Sequence, residues 1–575
     1  MQVIRGALVQ KRWVYTPPDP GRVALLRERH GFSFFLSQWL VQRNIFEPAQ
    51  VEQFLQPSLT QLPEPQLLGL EKAVARIVRA LREREKIFIY GDYDVDGTTA
   101  TALLVEFFQD VGAAIDYYIP HRLREGYSLN AEALRRIRER GGKVVITVDN
   151  GISAVSEAEV ARELGLDLII TDHHEAPPQL PAAYAVINPK QKGECFPGKE
   201  LAGVGVAFYL LIALRAALRS AGIFSGTEPN LRQFLDLVAV GTIADMAPLT
   251  GINRILVKEG LKVLSRTGRP GLKALKEVSG LDGETASDQV AFRLGPRINA
   301  VGRLDDAAFG VKLLLSRDAA EAKELARRLD AANAERQALE EEISRQALAK
   351  IESERLAENR SLILYQKDWH PGVVGIVASR LVERHYLPSI VLTRDRDGLK
   401  GSARSIRGLN LVEALRDCAE HLTKFGGHFY AAGLSLPEEK LAGFRKAFDR
   451  AVRSRLGEAD FAPSLRLDVE SDSAGIDSAL LAEIESLEPF GLGNPSPLLL
   501  MRDLQVKESR VVGEKHLKLR VAAGCREFGA IGFRLGAKVP PPQSRIDLAF
   551  LPEWNEWNGN KSIQLRLIDW RESSS

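Results

Sequence analysis

The stretch KIFIYGDYDVDG, residues 86–97, decides the fold. Its first half is a short apolar, β-branched run, and its second half is acidic with a closing glycine. Two later stretches repeat the plan: KVVITVDNG at 143–151 and LDLIITDHH at 166–174. Helical patterns, AEALRRIRERGG at 131–142 and VSEAEVARELG at 155–165, lie between them. Strand and helix alternating at this spacing predict an α/β fold, a parallel sheet covered by helices on both faces. Such sheets bind ligands beyond the carboxyl ends of their strands. Asp92 to Asp96, Asp149, and Asp172 with His173 and His174 all fall at such ends.

Working outward, DYDVDG formally opens like a calcium EF-hand loop, which requires a glutamate at its twelfth position. That position is Leu103, and the preceding KIFIY reads as a strand rather than a helix. An extended backbone would instead put Asp92, Asp94 and Asp96 on one side. Three carboxylates on one side repel unless cations sit among them. Taken alone, the motif also fits a solvated acidic turn. GTIADMAPL then adds Asp245 at the end of an apolar segment. Oxygen ligands with one imidazole suit manganese or magnesium.

Residues 1–70 are mixed, with Pro17, Pro18 and Pro20 interrupting any early helix. From 316 to 359 glycine and proline vanish, and Leu325, Leu329, Ala332, Leu339, Ile343 and Ile351 recur at helical spacing. A helix of about 40 residues would reach about 60 Å. It reads as a connection between two domains, with a coiled-coil partner surface as the alternative. A second α/β pattern occupies 360–456, with strands LILYQ and SIVLT around a helix starting near Gly372. From 461 to 575 the strand-like runs LQVKESRVVG, KHLKLRVA, DLAFLPEW and SIQLRLIDW suggest a small barrel or sandwich.

Bulk properties are plain. A chain of 575 residues implies several domains, and a net charge of +2 does not argue for nucleic-acid binding, so that function must rest on local patches. Three cysteines without a C-x-x-C pair argue against a cysteine zinc site and fit a reducing cytoplasm. The apolar run from Leu201 to Leu214 is too short to span a bilayer and reads as a buried core helix. A soluble, cytoplasmic protein without a membrane association is the expectation. No G-x-S-x-G, Walker A or H-E-x-x-H motif supports a competing chemistry.

DYDVDG, VDNG, DHH and ADM, in that order and at these spacings, resemble the DHH phosphoesterase superfamily. GSARS at 401–405 and FGGHFYAAG at 425–433 resemble its companion DHHA1 domain. The total length, the linking helix and the β-rich C-terminus resemble its single-strand exonuclease branch. The resemblance implies an N-terminal segment (1–70), a DHH catalytic domain (71–315), a connecting helix (316–359), a DHHA1 domain (360–456) and an oligonucleotide-binding (OB-like) domain (461–575). It implies two divalent ions, Mn2+ or Mg2+, held by Asp94, Asp96, Asp149, His173 and Asp245, with Asp149 between them. Asp92, Asp172 and His174 would orient ligands or face substrate, together with Arg303. Pyrophosphatase relatives carry a histidine where this chain has Tyr90, which points away from that branch.

The same resemblance gives RLGPRINAVGRLDD (293–306) a phosphate-binding role through Arg297, Asn299 and Arg303, alongside Arg293. Arginine forks suit phosphate oxygens, although ion pairs with surface acids are the alternative. IPHRLREGYSLN (119–130) offers Arg122, Arg124 and Tyr127. Ser402, Arg404 and His428 would cradle the phosphates at the end of a strand, or GGH is only a tight turn before a helix. Lys518 and Arg520 share a strand face and would line the OB-like domain, with Phe528, Phe533, Trp554 and Trp557 as stacking candidates. The function implied is 5′-to-3′ hydrolysis of single-stranded DNA, in a cleft that excludes duplex, by a monomer partnered by single-strand-binding protein and a helicase. The alternatives are a phosphodiesterase for short oligonucleotides or small nucleotides, and a metal-free strand-binding scaffold.

Overall fold

The computed structural model describes residues 11–122, 125–126, 128–224, 227–395, 398–557 and 560–573. The Lys86–Tyr90 strand lies second in a five-stranded parallel sheet. The spatial order is Ile115–Tyr118, Lys86–Tyr90, Gly142–Val148, Asp167–Thr171, Ala185–Ile187. The chain steps one way from Lys86–Tyr90 to Ile115–Tyr118, then crosses back to place Gly142–Val148 on the other side. The order therefore reverses between Lys86–Tyr90 and Gly142–Val148, which is where open α/β sheets form their binding crevice. Asp92 and Asp149 leave the sheet on either side of that point.

The helix Val95–Asp110 is buried along almost its whole length. It packs against the helices Gly203–Ser220 and Leu235–Ala244, whose residues fill the same core. Gly203–Ser220 is apolar and long enough to cross a membrane by length and composition alone. Here its residues from Gly203 to Leu211 are buried in that core, as the sequence reading expected for 201–214.

By contacts the described chain forms two units: Ala49–Arg336 with Glu488–Pro495, and the remainder. The linking helix runs Ala319–Ser353, 35 residues, shorter than expected. At its start the Ser316 hydroxyl bonds the Asp318 carbonyl and the Glu321 carboxylate, and Arg355 turns into the left-handed region at its end. Ala322, Ala326 and Leu329 belong to the core of the first unit, and Ile343, Ala347 and Ile351 to a core of the second.

In the second unit, a five-stranded mixed sheet is ordered Lys424–Gly427, Ala431–Leu436, Gly398–Arg404, Ser389–Asp395, Leu362–Tyr365. The helix Val374–His385 packs on it. Further on, Leu499–Val512 pairs with both His516–Ala523 and Arg545–Trp557, and Asn560–Glu572 joins Arg545–Trp557 to Arg526–Gly532. Those pairings close a five-stranded barrel. The strand Arg12–Tyr15 pairs in parallel with Ser464–Leu467, so the first described strand belongs to the same unit as the C-terminal barrel.

Leu504 sits opposite Ile546 at the closing seam of the barrel, and both are fully buried. Leu504→Ala should cost about 2–5 kcal/mol. Urea unfolding followed by tryptophan fluorescence, with its transition displaced to lower urea, would check this.

Candidate metal centre

Three strand ends and one helix end supply the acids. After Tyr90 the backbone does not stay extended: Asp94 caps the helix Val95–Asp110, its Oδ1 accepting the Gly97 amide at 3.0 Å, and Asp96 lies in the first turn. The expectation that Asp92, Asp94 and Asp96 line one side of a strand is thus corrected. The turn splits them between two ligand groups, Asp92 with Asp94 and Asp149, and Asp96 with His173 and Asp245. A third group joins Asp149, His173 and His174. Asp149 belongs to two of the three and His173 to two, so the groups form one continuous site.

Asp149 follows Gly142–Val148 with φ +61°, a left-handed conformation that aspartate tolerates better than most residues. Its Oδ1 lies 3.1 Å from His173 Nε2, and His173 Nε2 is 3.9 Å from both Asp96 and Asp245. Asp245 is the C-cap of Leu235–Ala244. Asp172 takes a different part. It accepts the His173 and His174 amides at 2.7 and 3.1 Å, His174 Nδ1 at 2.7 Å, and the Ile152 amide at 2.9 Å. Its carboxylate is consumed in orienting the histidines, the supporting role that ligand-holding sites need.

Burial first, and the charge of Asp94 next, push the Asp92 and Asp149 carboxyls well above the usual range. The same causes raise Asp96 to about 7, against the pull of the Val204 and Gly203 amides. Burial, then Asp96 and Asp94, raise Asp245 to about 9. Burial, then His174, lower His173 to about 3, so its imidazole is neutral. Burial would lower His174 too, but the bond and charge of Asp172 outweigh it and raise it to about 9. Asp172, in turn, sits below its usual range because His174 and Ile152 outweigh its burial.

Among the described residues, the buried atoms Asp92 Oδ1, Asp149 Oδ1 and His173 Nε2 have no hydrogen-bond partner. Carboxylate oxygens and one neutral imidazole, converging and unsatisfied, form a donor set for hard divalent cations.

Two supports escaped the sequence reading. The helix Gly203–Ser220 aims its N-terminal amides at Asp96, from Gly203 at 2.6 Å and Val204 at 2.8 Å. A side chain at Gly203 would come within 2.7 Å of Asp149 Cβ, so only glycine fits. The turn after Asp245 is held from Glu488–Pro495: the Leu249 amide bonds the Leu492 carbonyl at 2.7 Å. Buried Arg254 donates to the carbonyls of Phe54, Glu488 and Pro489. The glycine of A-G-V-G was a visible signal for the first; nothing local announces the second.

The remaining candidates divide. Arg122 stacks over Tyr93 at 4.9 Å and its charge reaches Asp92. Arg303, in the helix Gly295–Leu304, also acts on Tyr93, whose carbonyl would be 2.5 Å from a Cβ at Gly302. Arg297 is tied to Asp330 at 2.9 Å and to the Arg293 carbonyl at 2.7 Å, the structural alternative, and Asn299 is half-buried on the same helix. Arg124 and Tyr127 lie outside the described residues. The Tyr90 hydroxyl donates to the Ser128 carbonyl and accepts from Asn130.

In the second unit Arg404 Nη1 bonds Ser402 Oγ at 2.7 Å, and a Cβ at Gly375 would touch both residues. The first turn of Val374–His385 thus abuts them. His428 is exposed in a turn between two strands, not before a helix. Lys518 and Arg520 are both exposed on one strand face, but Arg520 is ion-paired with Glu508. Phe528 is core, whereas Phe533 is exposed and Trp554 half-buried under Lys561; the Trp557 side chain is outside the description.

The DHH family, N-terminal domain, matches residues 86–242, the DHHA1 domain 358–454 and the RecJ OB domain 467–569. The single-stranded-DNA-specific exonuclease RecJ of Bacillus subtilis is 41% identical, over 97% of this chain and 70% of its own. That of Escherichia coli is 42% identical, over 88% and 91%.

The chain belongs to the RecJ family.

RecJ of Thermus thermophilus in complex with Mn2+ superposes with a TM-score of 0.85 at 33% identity, covering 98% of this chain and 80% of that one. The Mg2+ complex of the same protein gives 0.78 at 31%, covering 98% and 79%.

Between pH 7 and 9 the metal-free native state holds protons on Asp245 and His174 that the unfolded chain has released. Stability must then fall as pH rises through that window. Thermal scans in chelator should show Tm dropping from pH 7 to 9, and Mg2+ should raise it most at pH 9. A metal-induced shift of equal size at both pH values would contradict the assignment. Gly203→Ala should weaken Mn2+ binding about 10–100-fold by titration.

Proposed function

We propose that this chain hydrolyses single-stranded DNA from its 5′ end, releasing nucleotides at the site bounded by Asp94, Asp96, Asp149, His173 and Asp245. The activity is metal-dependent phosphodiester hydrolysis of single-stranded DNA, and the cofactors are two divalent ions, Mn2+ or Mg2+. The observation that carries the reading is the continuous ligand set, buried at Asp92, Asp96 and Asp149 and half-buried elsewhere, at the sheet's reversal point, sharing Asp149 and His173.

When bound, paired divalent ions activate a water and neutralise charge on the phosphoryl oxygens. The residues divide the remaining work. Asp92 and Asp94 group with Asp149, Asp149 groups with His173 and His174, and His173 groups in turn with Asp96 and Asp245, so Asp149 would be the shared carboxylate. Asp172 keeps both histidines in register, and His174 holds a proton beside Asp149 that can be offered to a phosphate oxygen. Arg122 and Arg303, gathered around Tyr93, would steady the strand's phosphates. Ser402 and Arg404, at the first turn of Val374–His385, have the donor chemistry for the terminal phosphate, with His428 beside the same sheet. Lys518 and Arg520 would hold backbone further along.

The three free thiols support a reducing compartment, the cytoplasm, and the reading takes the enzyme as a monomer. Single strands arise where duplex is unwound and coated, which makes a helicase and single-strand-binding protein its partners.

Single-stranded DNA labelled at either end, with Mn2+, tests the reading. Mononucleotides should appear first from the 5′ label and vanish with Asp149→Ala. Release from the 3′ label first would overturn the polarity, and full activity in the variant would overturn the site.

A further inference from the structure

A groove of about 880 Å³ in the second unit carries Arg12, Arg22, Arg407 and Arg466. Its floor is set by the strand pair Arg12–Tyr15 and Ser464–Leu467. The parallel register places Arg12 opposite Ser464 and Val14 opposite Arg466, so these four share one face. Trp13, Tyr15, Leu465 and Leu467 take the other face and pack into a hydrophobic cluster. Arg12 and Arg466 are therefore held outward by an anchored strand pair, and Arg22 by the helix Pro20–His30.

All four guanidinium-bearing residues are exposed, and among the described residues none is ion-paired with a carboxylate. Arg466 donates to the Gln42 carbonyl at 3.3 Å, and Arg22 stacks over Phe46 at 4.1 Å, contacts that orient a charge without neutralising it. The two acids of the groove, outnumbered by its arginines, are bonded to backbone amides rather than to those arginines, so the groove stays net positive. Asp19 caps a helix through the Gly21 and Arg22 amides, and Asp460 accepts the Gly457 amide. In a chain of net charge +2, this concentration is a local departure.

We propose that this groove is a further binding site for the phosphodiester backbone of a single strand, built from residues other than those of the metal centre, the Ser402–Arg404 pair and the barrel strand that carries Lys518 and Arg520. It rests on the reading that single-stranded DNA is the substrate. Guanidinium forks match phosphate oxygens in pairs. The volume exceeds one phosphate and lies in the range of larger ligand sites, suiting a run of a few nucleotides. A strand long enough to occupy both sites gains affinity from linkage alone. Long strands would then be held better than short ones although the chemistry is the same.

The test uses the full chain and the double variant Arg12→Gln with Arg466→Gln, both exposed positions, with Tm confirming an unchanged fold. Binding is read by anisotropy on a nuclease-resistant phosphorothioate 30-mer and hydrolysis on a 7-mer with Mn2+. The expected result is about tenfold weaker 30-mer binding, a salt slope reduced by about 1.4 (about 0.7 per lost contact), and unchanged 7-mer turnover. Unchanged 30-mer affinity and slope would overturn the proposal. So would loss of binding to a labelled deca-glutamate peptide with DNA binding intact, which would make the occupant an acidic protein segment. If wild type does not hydrolyse the 7-mer, the functional reading fails instead, independently of the groove.

Discussion

Mutual repulsion among buried carboxylates is the constraint on which this structure turns. Asp92, Asp96 and Asp149 are almost wholly excluded from solvent and crowd together with Asp94 and Asp245. No protein interior holds such a group ionised without compensating charge. The fold meets the demand in part by its own dipoles, the Gly203–Ser220 amides on Asp96 and the protonated His174 on Asp172. The rest must come from cations. Sheet topology explains why the acids are there at all, since the reversal of strand order leaves a crevice into which both Asp92 and Asp149 emerge.

That constraint reaches outward through packing. Gly203 has no side chain because Asp149 occupies the space. Asp245 is placed by a helix inside the core, and its exit turn is secured by a segment more than two hundred residues later in sequence. Chemistry at the sheet edge thus depends on contacts that are remote along the chain but local in the first unit. The second unit solves a different problem, presenting exposed basic groups on sheets whose opposite faces are core.

Much of this was legible in the sequence for a physical reason: strand ends of a parallel sheet carry chemistry, so short apolar runs followed by acids announce both fold and site. The long helix was legible because its composition is uniform, and the buried helix because its apolar run is uninterrupted. What escaped was nonlocal or conformational. Alternation in an extended chain mispredicted the DYDVDG geometry because Asp94 starts a helix instead. The arginine at 297 looked like its neighbour 303, yet an acid on the linking helix, Asp330, claims it. No pattern within 11–48 reveals that Arg12–Tyr15 will pair with residues beyond 460.

The central claim is that Asp149 joins two cations in one site. Electron paramagnetic resonance of the chain titrated with Mn2+ addresses it directly. The account predicts two ions per chain with a spin-coupled spectrum, which Asp149→Asn converts to an uncoupled one. A single bound ion, or two whose spectra never couple, would contradict it.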